Sequence, residues 1–193
     1  MKNIFKLILI LFIAFFVQSS IFAQESPTTK SDILALYSAN KLEEAYLLIS
    51  GVPEAERDSE LWLILANITQ DYGKDLDSIF LLHKAISSDP TSYKAYYNLG
   101  NLYFKDNKIL SAIDSYSLAI KYNKNFPEAY YNVGCCYLKD AQYSKAKSNF
   151  IKAIKLKSNE PSYYYNLALT YKKIGNQKQS KKALAAYNEL SKN

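Results

Sequence analysis

Arginine is almost missing from this chain of 193 residues: Arg57 is the only one, and lysine supplies every other basic residue. With no Arg clusters, and with basic and acidic residues interspersed, the footprint of a nucleic-acid binder is missing; no nucleic-acid partner is expected. Histidine is equally scarce, His83 being the single case. One imidazole with no partner motif supplies neither a triad nor a zinc site. Walker-type glycine loops, His-Glu-x-x-His, Gly-x-Ser-x-Gly and the kinase set are all absent. The chain therefore reads as a non-enzyme, with no catalytic residue, cofactor or metal assigned. Its two cysteines, Cys135 and Cys136, are adjacent. Neighbouring positions on a helix point about 100° apart, so they form no ordinary disulfide with each other. Cys136 reads as a small core residue and Cys135 as an exposed or groove-facing thiol. With only five Gly and five Pro, the chain suits long helices with short turns and argues against an all-β fold.

What is present is apolar and aromatic. Hydrophobic residues make up 49% of the chain, including 18 Tyr, which excludes global disorder. Lys2 and Lys6 precede an apolar run from Leu7 to Val17, and Gln18 to Gln24 follow with a small residue, Ala23, at the exit. That run falls short of the roughly 20 residues a spanning helix needs. It reads as a secretory signal over residues 1–23, cut after Ala23, with an uncleaved anchor as the alternative and the only route to a membrane. Export to the periplasm or cell envelope of a bacterium is the expected location. Removing Lys2 and Lys6 would lower the formal charge from +6 to about +4. Residues 24–30 read as a polar linker, and Ser31-Asp32 as the start of the first helix.

From Ser59 onward the chain repeats itself every 34 residues. Tyr96-x-x-Leu99-Gly100-x-x-Tyr103 returns as Tyr130-x-x-Val133-Gly134-x-x-Tyr137 and as Tyr164-x-x-Leu167-Ala168-x-x-Tyr171, with a weaker copy at Trp62, Leu65, Ala66 and Thr69. A second half follows: Ala112, Tyr116 and Ala119, then Ala146, Phe150 and Ala153, preceded by Ser78, Leu82 and Ala85. Spacing of i, i+3, i+4 and i+7 places each first set on one helix face. Gly100 and Gly134 read as points of close helix approach. This frame resembles the tetratricopeptide repeat (TPR) family, over about two thirds of the chain. The resemblance implies an all-α fold, an α-solenoid of antiparallel helix pairs wound as a right-handed superhelix. Units fall at 59–92, 93–126, 127–160 and an atypical 161–193, behind a degenerate helical pair at 31–58.

In that family the first helices line a concave groove that holds an extended peptide or a partner helix. Carried onto this sequence, the groove face comprises Asn67, Lys94, Tyr97, Asn98, Asn101 and Lys105, then Tyr131, Asn132, Cys135 and Lys139, then Tyr165, Asn166 and Lys173. Stacked repeats would align these as ladders of Tyr, Asn and Lys on a face the packing stripe does not use. The expected function is a protein-interaction scaffold in the bacterial envelope, with a protein or peptide partner. The alternatives are a homo-oligomer stacking through uncovered terminal repeats, and a subunit of an envelope-assembly complex.

Overall fold

The computed structural model describes residues 29–192. The signal reading and most of the linker lie outside those residues. Ten α-helices and one short 3-10 turn account for the regular structure among the described residues, and no strand occurs. The chain divides into two units, one ending at Val52 and one running from Pro53 to Asn193.

The first unit contributes α1 (Lys30–Ser38) and α2 (Leu42–Gly51), which pack together through Ile33, Ala45 and Ile49, all fully buried. Helix α1 starts at Lys30, inside the stretch read as linker. Its cap is Thr29, not Ser31: the Thr29 hydroxyl accepts from the Asp32 amide, and the Asp32 carboxylate accepts from the Thr29 amide at 2.9 Å. That reciprocal pair is a capping box, worth about 1 kcal/mol. The unit boundary also falls inside the 31–58 segment, because Pro53 opens the second unit.

The second unit is four helix hairpins: α3 (Ser59–Asp71) with α4 (Asp75–Ser88), α5 (Tyr93–Lys105) with α6 (Ile109–Tyr122), α7 (Pro127–Lys139) with α8 (Tyr143–Leu156), and α9 (Pro161–Lys173) with α10 (Gln177–Leu190). Each first helix packs on its own second helix and, from α5 onward, on the second helix of the preceding hairpin. This is the all-α solenoid of antiparallel pairs.

Every hairpin turns by the same device. Position 73 and its equivalents 107, 141 and 175 adopt positive φ, at 74°, 59°, 56° and 84°. In each turn the following amide donates to the carbonyl five residues back, as Lys74 N–H does to Thr69 and Gln142 N–H to Tyr137. That closes a Schellman motif and satisfies the last carbonyls of the first helix. Gly73 and Gly175 enter the left-handed region without a Cβ and Asn107 is a tolerated residue there, whereas Ala141 has neither advantage.

The first helices are buried on more than one side. Leu99 and Gly100 lie in the core as the periodicity requires, but so do Ala95 and Leu102. The sites equivalent to Leu102 are Ile68, Cys136 and Thr170, each at most 2% exposed. Tyr96 and Tyr103, read as core, are only half-buried.

Candidate interaction groove

The amides read as groove ligands are engaged in joining the repeats. Asn98 Nδ2 donates to Asn67 Oδ1 at 2.6 Å, and one repeat on, Asn132 Nδ2 donates to Asn101 Oδ1 at 3.0 Å. Both pairs are half-buried and span one repeat junction. At the third junction the acceptor position is Cys135. Asn166 Nδ2 reaches its Sγ at 3.7 Å and donates instead to Tyr131 Oη at 2.7 Å. The reading of a face unused by packing is therefore corrected. These Asn side chains occupy the seam between first helices, where amide pairs set the register of stacking.

The tyrosines follow the same logic. Tyr97 packs between Tyr116 and Phe126, with ring centroids 5.7 Å and 4.8 Å away. Tyr131 packs on Phe150 at 5.7 Å and stacks on Tyr163 at 4.8 Å. Only Tyr165 remains half open to solvent, with its ring against Tyr187 at 5.3 Å.

Lysines mark the rim. Lys105 pairs with Asp75 at 2.6 Å, and Lys139 lies over the Phe104 ring at 5.2 Å from its centroid. Lys173 is exposed near the end of α9. Lys94 lines a separate depression with Asp58, Glu60 and Asp89.

Between α5 and α7 these residues leave an open pocket of about 350 Å³. It is lined by Asn101, Phe104, Lys105, Tyr116, Tyr131, Asn132 and Cys135. Five of these belong to the groove set read from sequence; Phe104 and Tyr116 do not. Tyr116 sits on a second helix and reaches the pocket only because Gly100 has no side chain. Its hydroxyl passes over that gap and donates to Asn101 Oδ1 at 2.8 Å. The signal for it was present, since Gly100 and Tyr116 are the matched small and large positions of one hairpin. Phe104 has no aromatic counterpart in the other repeats, where Gln70, Leu138 and Lys172 stand.

Chemically the pocket is a wall of aromatic carbon with amide groups at its base and ammonium at its edge. Burial pushes the Cys135 thiol up to about 11 and Cys136 up to about 12, so both are neutral thiols near pH 7. A neutral thiol is a poor nucleophile, which suits contact and not reaction. Burial likewise raises Tyr131 to about 12, leaving its hydroxyl protonated. No group of three His, Cys, Asp or Glu side chains converges on a metal position among the described residues. None of the described helices is long and apolar enough to cross a membrane.

Hairpins of this kind, stacked with a 34-residue repeat and a groove lined by their first helices, define a helical-repeat solenoid. Models of the tetratricopeptide repeat match residues 127–160 and 161–193, with further repeat models over 81–114 and 100–140. The chain belongs to the tetratricopeptide repeat family. Among solved structures, one titled as MamA is 26% identical with a TM-score of 0.75, covering 86% of this chain and 96% of its own. Another MamA structure is 27% identical with a TM-score of 0.72, covering 83% of this chain and 88% of its own. A MamA structure from Desulfovibrio magneticus RS-1, at 18% identity and a TM-score of 0.74, covers 84% of this chain and 93% of its own and shows the fold alone. No curated protein matches the chain.

Proposed function

We propose that the protein is an interaction scaffold in the bacterial cell envelope, and that the pocket between α5 and α7 holds one or two side chains of an extended peptide or partner helix. The observation that carries this reading is the pocket itself. Its volume of about 350 Å³ lies at the lower end of the range for ligand sites, and its aromatic walls carry few polar groups. Such a site seats an apolar side chain. The base amides are committed to the seam, so affinity comes from Phe104, Tyr131 and the edge of Tyr116, with Asn101 and Asn132 keeping those walls in place. Recognition, not reaction, is the mechanism, in keeping with two protonated thiols and the lack of a catalytic motif. A photo-crosslinking amino acid on the pocket rim, in the full chain within its native envelope, tests the reading.

The envelope location rests on Lys2, Lys6, the apolar run Leu7 to Val17 and the small residue Ala23. N-terminal sequencing of the exported protein should begin near Gln24. An intact Met1 on a membrane-bound protein would replace this with an anchored form.

A further inference from the structure

The groove changes character from one repeat junction to the next. Between α5 and α7 its base is the Asn101–Asn132 amide pair, with Phe104 as a wall. Between α7 and α9 that pattern is lost. The position of Asn101 is taken by Cys135 in α7 and by Leu169 in α9, and the position of Phe104 by Leu138. Asn166, the equivalent of Asn132, is turned to Tyr131 Oη. Leu138 and Leu169 are half-buried and Tyr165 is 50% exposed, so apolar side chains continue along the first helices after the amide pairs stop.

This change bears on the form of the ligand. An extended chain lying here would lay part of its backbone on Cys135, Leu138 and Leu169, and each N–H or C=O buried without a partner costs about 1–3 kcal/mol. A helix keeps its backbone hydrogen bonds within itself. The spacing agrees: helices packed side by side lie about 8–10 Å apart, and seven residues of helix advance about 10.5 Å and return to nearly the same face.

Charge on the rim is selective as well. Lys105 is paired with Asp75 at 2.6 Å and Asp106 with Lys108 at 2.7 Å, while Asp140 accepts from the Gln142 amide. At the other ends of the first helices, Glu128 and Glu160 share Lys157 at 3.7 Å and 3.3 Å. Lys139 and Lys173, one repeat apart and both exposed, have no carboxylate within ion-pair distance among the described residues.

We propose that the groove takes an amphipathic helix of a partner protein and not an extended peptide. Apolar residues at i and i+7 of that helix seat in the α5–α7 pocket and at the α7–α9 junction, and carboxylates beside them face Lys139 and Lys173. This rests on the reading of the pocket as a peptide site and adds the ligand's form, spacing and charge.

Selection from a display library of random peptides of about 18 residues, five turns of helix, tests it. The full chain is the bait and a Phe104→Ala/Leu169→Asn variant the counter-bait. Leu169→Asn restores the amide that the frame carries at Asn67 and Asn101, and thermal melts check that the variants stay folded. Selected peptides should carry apolar residues at i and i+7 with acidic residues beside them, and should gain helical circular dichroism on binding. Phe104→Ala and Leu169→Asn should each weaken a selected peptide about tenfold. Lys139→Glu with Lys173→Glu should do the same in low salt, and by less as salt is added. Peptides that bind without gaining helicity, or that need Phe104 but not Leu169, would overturn this inference and leave the pocket reading standing. Selected peptides that are basic would also overturn it. A library yielding no peptide that tells the chain from its double variant would sink both readings.

Discussion

Phe150 occupies the space that a side chain on Gly134 would need. A Cβ built there would lie 2.6 Å from Phe150 Cε1, and the ring is fully buried. Gly100 stands in the same relation to Tyr116, also at 2.6 Å. Where the first helix carries Ala instead, as at Ala66 and Ala168, the matched position on the second helix is Leu82 or Leu184, and Ser78 or Ser180 donates to the Ala carbonyl at 2.8 Å. Glycine thus goes with an aromatic ring, and alanine with leucine and serine. Two pairings of small and large residues solve the same helix approach.

Gly134→Ala should therefore overpack a central hairpin and lower stability by about 1–3 kcal/mol, and Gly134→Leu by more. Lys139→Leu, on the exposed rim of the same helix, should stay within about 0.5 kcal/mol. Urea unfolding of the three variants checks both values. Equal midpoints would contradict the packing of Phe150 on Gly134.

Because the Asn pairs join repeats, Asn98→Ala together with Asn132→Ala should destabilise the fold by about 1–3 kcal/mol, at about 0.5–1.5 kcal/mol per bond. An exposed ligand ladder would instead leave melting almost unchanged, as alanine favours helix. Cys135→Asn should do the opposite of the double variant. It restores the amide acceptor that Asn67 and Asn101 provide at the other junctions, and should add about 0.5–1.5 kcal/mol. Thermal melts separate the outcomes, and a stable double variant would return these amides to the ligand role.

Ala141 is the one positive-φ turn residue among the described residues that is neither glycine nor asparagine. At φ 56° it lies in the left-handed region, where glycine fits freely and asparagine is tolerated. Replacing Ala141 with Gly should raise stability by up to about 1 kcal/mol, the reverse of the usual cost of glycine. The same change at Ala153, buried inside α8, should lower it by about 0.5–1 kcal/mol. A melting temperature that falls for Ala141→Gly would show that this backbone carries no strain.

The repeat made the fold legible. Spacing of 34 residues, with Leu99, Gly100 and their equivalents on one face, needed no structure to place hairpins and close approaches. The second buried side of the first helices was less visible, because Ala95, Leu102 and Cys136 interleave with the recognised frame and belong to contacts between repeats. The role of Asn98 and Asn132 was hidden for the same reason. A half-buried amide looks identical in sequence whether it meets a ligand or the Asn of the next repeat, and only the geometry of stacking decides. The start at Thr29 was legible in principle: Thr-x-x-Asp is a reciprocal capping pair, but Ser31-Asp32 offered nearer and equally plausible cap chemistry.

The pocket between α5 and α7 is where a partner should be found. A photo-crosslinking amino acid in place of Lys139, whose ammonium lies over the Phe104 wall, samples the groove directly. The same group in place of Ser148, exposed on α8, samples the outer surface. Illumination of the full chain in its native envelope should give a discrete polypeptide adduct from position 139, lost in the Phe104→Ala background, and none from position 148. Adducts from position 148 alone, or adducts at 139 that persist without Phe104, would contradict the groove as the binding surface.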